Sequence, residues 1–426
     1  ALYDGKKTIE HEREELFHWP IVTEEDIEAV SAVLRAGTMS GTAITKEFEQ
    51  QFSAYLGTRY ALGFCNGTAS LEAAMWACGV GAGDEIICPS MTYWASAAPA
   101  LTLGASVQFC DIDPVTLCID PKDIEQRINE RTKAIVVVHY AGHPAPMDHI
   151  IDIARRHQVR VIEDNSHAHG SLYNGKHTGT IGDIGAMSLM TGKGFAIGEA
   201  GIITTNDREL YERCIAYAHY ERTGVASRFN LVDNQITDAD LRKFAGIPIG
   251  AMKGRMNQTC SAMGLVQLRY FPKRIQEIQE AINYFWEIMG ETPGLYPHRI
   301  SKSEGTMGCW YYPQALYKAE ELNGTSSETF SRAINAEGVH WCFPGGNSPL
   351  HIHPYFHESD IFHLGRPTSI AFGNQDMRQG PGTLPVSEKI HEITIAIPWF
   401  KKCIKRDIKI YADAFSKVAE YFHTIH

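Results

Sequence analysis

Lys193 lies in the run Ser188-Leu-Met-Thr-Gly-Lys193-Gly-Phe-Ala-Ile-Gly198-Glu199-Ala-Gly201, and Asp164 closes an apolar stretch 29 residues before it. An amine can join a carbonyl carbon, and a carboxylate can keep a ring nitrogen protonated. Pyridoxal 5′-phosphate needs both: a Schiff-base amine and a carboxylate partner for its ring nitrogen. Both residue types are common. The pair gains weight only if phosphate-binding, ring-stacking and fold features surround it in the right order.

Several strand-to-helix turns carry such features. Cys65-Asn66-Gly67-Thr68-Ala69 opens a helical pattern starting near Ser70. Gly67 permits close backbone approach, and Thr68 and Ala69 would offer free N–H groups at the positive end of the helix dipole, which suits a phosphate. A plain glycine turn with a Thr cap is the alternative. Pro89-Ser-Met-Thr92-Tyr93-Trp94 follows the next apolar run, and its aromatics suit either stacking on a flat ring or ordinary packing. Asp164 ends the stretch Val159–Asp164, and His167 follows within reach of a phenolic oxygen beside the Schiff base. A metal site from Asp164, His167 and His169 competes, but the spacing does not fit the helical H-E-x-x-H pattern, and no metal is expected. Ser188, five residues ahead of Lys193, can reach the same phosphate as Gly67 and Thr68. A Walker A loop fails on its own template: Gly194 follows the lysine where Ser or Thr is needed, and Met187 replaces the first glycine.

The elements that must hold these residues alternate regularly. Thr23 and Asp26 form a capping-box pattern before an amphipathic helix over 23–36, and a second helix follows over 46–56. Apolar runs at 85–88, 106–110, 134–139, 159–163 and 186–189 predict strands. Helical patterns lie between them at 70–78, 94–103, 121–129 and 148–156. This alternation predicts α/β architecture, a mostly parallel sheet flanked by helices. A helix over 208–219, a polar loop over 221–243 and a long helix over 261–287 come next. Thr292-Pro-Gly-Leu reads as a joint to a smaller α+β C-terminal domain with a strand near 310–315, helices near 326–337 and 407–422, and a Gly/Pro-rich loop over 343–349. The expected divisions are 1–40 (N-terminal arm and first helix), 41–291 (large domain) and 292–426 (small domain).

Composition excludes several classes. The chain has 426 residues, 44% of them hydrophobic and 21% charged, with 39 basic against 50 acidic side chains. A formal charge of −11 and no long basic run argue against nucleic acid as a partner. No stretch approaches 18 apolar residues, so no membrane partner is expected. Ten cysteines without a C-x-x-C pair sit mostly in apolar runs, which places the chain in the reducing cytoplasm.

The ordered set of Gly67-Thr68, Thr92-Tyr93, Glu163-Asp164 through His167, and Ser188 through Lys193 to Gly201 resembles the DegT/StrS-type sugar aminotransferases of the aspartate aminotransferase superfamily (fold type I). The likeness covers nearly the whole chain, including Gly264-Leu-Val-Gln267-Leu268 and Pro349-Leu-His351. It implies that Lys193 is the Schiff-base lysine, Asp164 the ring-nitrogen partner and His167, where the family usually has Gln, the neighbour of the phenolic oxygen. Gly67, Thr68, Ala69 and Ser188 would then hold the phosphate and Tyr93 stack on the ring. It also implies a homodimer with active sites at its interface, and ping-pong transfer from glutamate or glutamine to a keto-sugar, nucleotide-linked or not, or to a keto-cyclitol. Relatives acting as sugar dehydratases carry His in place of the lysine, and a non-catalytic binding protein would not need the full set. Two departures stand out. Ala200 replaces a family glycine, and Lys253-Gly254-Arg255-Met256 replaces Asn-Tyr-Arg-Met, so Lys253 would make the cross-dimer phosphate contact as a point charge while Gly254 leaves room nearby. His351, with Trp310, Tyr311, Trp341 and Gly345-Gly346, is the expected substrate-binding side.

Overall fold

The structure, a computed structural model, describes residues 5–224, 234–373 and 375–424. Its first helix, α1 (Glu24–Ala36), begins as its sequence dictates: Thr23 and Asp26 exchange side-chain and backbone bonds in a full capping box, and Gly37 ends it at φ 64°. Helix α2 (Ala43–Leu56) follows.

A seven-stranded sheet comes next: β1 (Tyr60–Phe64), β2 (Glu85–Pro89), β3 (Ser106–Cys110), β4 (Thr132–Val138), β5 (Arg160–Asp164), β6 (Ile184–Ser188) and β7 (Gly201–Thr205). The spatial order is β1-β7-β6-β5-β4-β2-β3. The β2, β3, β4, β5 and β6 neighbours pair in parallel, while β7 runs antiparallel to both β1 and β6. Five of these strands match the apolar runs of the sequence; β1 and β7 do not appear among those runs. Both faces are covered. Helices α3 (Gly67–Ala77) and α5 (Arg208–Ala218) pack on one, and α4 (Met147–His157) with the short helix Pro121–Arg127 packs on the other. Burial on two sides is why these strands read as unbroken apolar stretches rather than alternating ones.

The 32-residue helix α6 (Gln258–Met289) joins two cores. Leu268, Phe271 and Ile275 pack with Phe48 and Phe52 of α2, whereas Ile278, Ile282 and Phe285 pack with Phe415 and Val418 of the C-terminal helix α7 (Lys405–Thr424). Against that second core lies a three-stranded antiparallel sheet of β8 (Leu295–Pro297), β9 (Gln314–Tyr317) and β10 (Thr394–Ala396). Three expectations shift. The helix over 94–103 is a 3₁₀ turn at Trp94–Ser96 followed by Ala98–Thr102, the strand near 310–315 lies at Gln314–Tyr317, and the stretch 221–243 contains the short helix Ala239–Arg242. Its middle, 225–233, lies outside the described residues.

Candidate active site

Open parallel sheets place their ligands beyond the carboxyl ends of the strands. Here β5 ends on Asp164, β6 on Ser188, and the turns after β1 and β2 carry Gly67-Thr68 and Thr92-Tyr93. All six residues line one cavity of about 430 Å³, together with Ser166, His167, Lys193, Tyr311, Tyr312 and Asn347.

The phosphate-type turn is built by close approach. A Cβ on Gly67 would stand 2.7 Å from Ser188 Cβ and 2.8 Å from its Cα, so only glycine lets α3 begin against the end of β6. The Asn66 side chain caps α3 by accepting the Ala69 N–H at 2.8 Å. This corrects the expectation for Ala69: its N–H is spoken for, and Ala69 does not line the cavity. The N–H groups of Gly67 and Thr68 keep no partner among the described residues, and Ser188 Oγ stands beside them.

Asp164 is held on both oxygens. Ser96 Oγ donates to Oδ2 at 2.7 Å, and the Ser166 N–H donates to Oδ1 at 3.1 Å. Thr92 in turn donates to Ser96 at 2.9 Å, and Thr92, Ser96 and Asp164 are all buried. Behind it, Glu163 anchors the strand end by bonding His139 and the N–H groups of Gly179, Ile181 and Gly182.

Lys193 is 8% exposed, with Nζ 4.2 Å from the Tyr311 ring centroid. Burial lowers its pKa to about 8 against the opposing pull of Asp164, so it gives up its proton far more readily than an exposed lysine. Trp19 Nε1 donates to the Lys193 carbonyl at 2.9 Å and fixes the lysine's backbone. His167 packs 4.6 Å from Tyr311 and 5.4 Å from Tyr140. Burial, and then the nearby Lys193 charge, holds it well below its ordinary value, so it is neutral, and its Nδ1 has no partner. His169 is likewise buried and pushed down to about 3. Among the described residues no cluster of three His, Cys, Asp or Glu side chains could hold a metal ion.

An amine, a buried carboxylate, a turn with unpartnered N–H groups and a half-exposed aromatic stand around one cavity. Residues 20–415 match the DegT/DnrJ/EryC1/StrS aminotransferase family. The chain belongs to that family. It is 37% identical over 266 residues to the GDP-perosamine synthase of Escherichia coli O157:H7, covering 61% of this chain and 68% of that one. It is 35% identical to the L-glutamine:2-deoxy-scyllo-inosose aminotransferase of Streptomyces paromomycinus, over 58% of this chain and 55% of that one. The solved aminotransferase from Psychrobacter cryohalolentis superposes with a TM-score of 0.79 at 28% identity, over 96% of this chain and all of the other. The protein is a pyridoxal phosphate-dependent aminotransferase with the α/β fold of that superfamily.

The residues present fit the cofactor. The Gly67 and Thr68 N–H groups and the Ser188 hydroxyl suit a phosphate, Asp164 lines the cavity with one hydrogen bond on each oxygen, and the buried His167 Nδ1 has no partner among the described residues. Tyr93, 50% exposed at the cavity wall, is available to stack.

Other expectations move. His351 is not at the cavity. It is 1% exposed, its Nδ1 bonds Ser90 Oγ at 2.7 Å and its Nε2 bonds Glu388 at 3.0 Å, so both ring nitrogens are occupied. It fastens the turn that carries Thr92 and Tyr93. Trp310 is core, and Trp341, 77% exposed, lines a separate aromatic cavity with Trp399 and Lys401. Lys253 is exposed, 5.6 Å from the Tyr220 ring, and lies outside its own chain's cavity. Gly254 leaves no room: a Cβ there would meet Ala218 at 2.8 Å and the Phe64 ring at 3.2 Å, because Cys65 and Met256 N–H bonds zip this segment onto β1. Ala200 does not need the left-handed backbone that its family glycine would allow. Sequence reading missed Ser96, hidden in a helical-looking run, and Asn347 and Tyr312, which no spacing rule marks.

Proposed function

We propose that this aminotransferase moves an amino group from glutamate or glutamine to a keto-sugar, with Lys193, Asp164 and His167 doing the chemistry. The observation that carries the reading is Lys193: a buried amine at about 8 in the same cavity as a doubly held carboxylate and an unfilled N–H turn. A keto-cyclitol acceptor is the second reading, favoured by the likeness to the Streptomyces paromomycinus enzyme named for one.

When bound, pyridoxal phosphate supplies a carbonyl that exchanges amino groups and a ring that takes up the electron pair left on the substrate carbon. Lys193 would be the amine that takes up that carbonyl, and as a free amine it would carry the proton on and off the substrate carbon. Asp164 would keep the ring nitrogen protonated, and neutral His167 would hydrogen-bond the phenolic oxygen. Gly67, Thr68 and Ser188 would hold the phosphate while Tyr93 would orient the ring.

The chain acts in this reading as a homodimer, with exposed Lys253 reaching the phosphate of the neighbouring site. Residues 41–291 form the cofactor-binding unit and 292–426 the smaller unit that closes over it, after an N-terminal arm over 1–40. Ten unpaired cysteines favour a reducing compartment, the cytoplasm.

Replacing Lys193 by Ala tests the centre of the reading. The visible absorbance of bound cofactor should disappear, and amino transfer should fall by about 10⁴-fold, the upper range for a positioned proton-transfer group. Retained transfer in Lys193→Ala sinks the assignment. In the wild-type apoenzyme, cofactor uptake should quicken as pH rises through about 8, because only the deprotonated Lys193 amine is a nucleophile.

A further inference from the structure

The Tyr140 hydroxyl is buried at the end of β4 and makes two contacts with one residue of the loop over 343–349. It accepts the Asn347 backbone N–H at 3.1 Å and lies 2.8 Å from Asn347 Oδ1. With its lone pair engaged by that N–H, the hydroxyl proton goes to the side-chain oxygen, its one acceptor among the described residues. This fixes which way the amide points. Asn347 Oδ1 is taken, and the Nδ2 group has no partner among the described residues although Asn347 lines the catalytic cavity.

The rest of the cavity lining makes that free donor informative. No arginine is among the lining residues, and the cation present is Lys193, which the reaction occupies. Asp164 and Glu199 add two carboxylates. Every amino donor of the proposed reaction carries a carboxylate on the carbon that bears the amine, so that carboxylate enters the same cavity and needs N–H donors there.

We propose that Asn347, oriented by Tyr140, binds the α-carboxylate of the amino donor through its Nδ2 group. The proposal rests on the function given above and names a donor contact within it. Tyr140 is a positioning residue: it also packs on His167, so one buried hydroxyphenyl group aligns the substrate contact and the cofactor contact.

Asn347→Asp keeps the shape and the Tyr140 bond but replaces the donor by an acceptor, and Asn347→Ser removes the amide without adding charge. Binding of 2-methyl-L-glutamate, which has no α hydrogen and cannot turn over, is measured by calorimetry on the cofactor-loaded protein. The Kd should rise at least about tenfold in both variants, the scale of one hydrogen bond to a charged group. Cofactor absorbance should stay at the wild-type value in both variants, and the melting temperature should stay there in Asn347→Asp, which keeps the Tyr140 acceptor. L-isoglutamine, whose α-carboxamide can donate, should lose less affinity in Asn347→Asp than 2-methyl-L-glutamate does. An unchanged Kd for 2-methyl-L-glutamate in both variants overturns the proposal, as does an equal loss for isoglutamine in Asn347→Asp. Failure of the functional reading looks different: the wild-type protein itself would bind none of 2-methyl-L-glutamate, L-glutamate and L-glutamine.

Discussion

The two walls of the catalytic cavity are made in different ways. On the wall formed by the β-strand ends, the caps and turns are made by near neighbours in the chain: Asn66 caps Ala69, Ser166 donates to Asp164, and Thr92 donates to Ser96. Ser96 then ties two strand ends together by donating to Asp164, 68 residues away. On the opposite wall, Asn347 is held by Tyr140, 207 residues away. Tyr311 packs on Trp399, and Gly346 presses against Ile390. Tyr312 and Gly346 also hold φ values of 55° and 86°. The first wall follows local rules of strand, turn and cap. The second depends on the whole chain being folded, so it can change to suit another substrate without disturbing the cofactor site.

If that contrast is right, damage should separate by wall. Gly67→Ala should have the largest effect. The new Cβ would collide with Ser188 backbone and side chain, an overpacking cost of about 3 kcal/mol, and cofactor affinity should fall about 10²-fold. Equilibrium titration with pyridoxal phosphate measures this, and unchanged affinity would show that the turn is not the phosphate site. Ser96→Ala should come next. Losing a bond to the Asp164 carboxylate costs about 1.5 kcal/mol, or roughly tenfold in kcat, with donor KM preserved. A rise in donor KM with kcat unchanged would move Ser96 out of the Asp164 chain. Tyr140→Phe should be mildest, about fivefold in donor KM from losing about 1 kcal/mol of hydrogen bond to Asn347. Its cofactor titration should match the wild type; a loss of cofactor affinity there would erase the distinction between the walls.

The same division explains what could be read from the residues. The capping box at Thr23, the parallel strands at 106–110 and 134–138, and the placement of Asp164 and Lys193 all follow from patterns within a few residues. Strands β1 and β7 escaped because their antiparallel pairing brings together segments more than 130 residues apart. Ala69 was misread because its N–H looked free until Asn66 was seen to take it. His351 looked like a pocket residue in a Gly/Pro-rich loop, but Ser90 and Glu388, distant in sequence, claim both its nitrogens. Gly254 looked like vacant space and is a close approach to Ala218 and Phe64.

By itself, the sequence determined the α/β architecture, the cofactor and the order of its binding groups, because strand ends, helix caps and glycine turns are short-range chemistry. Only the tertiary structure decided which of those groups remain unpaired, that His351 supports a turn instead of lining the cavity, and that Tyr140 holds Asn347 at the cavity wall. The physical reason is that a hydrogen-bonding group's availability depends on every partner near it in space, and those partners arrive from segments hundreds of residues apart.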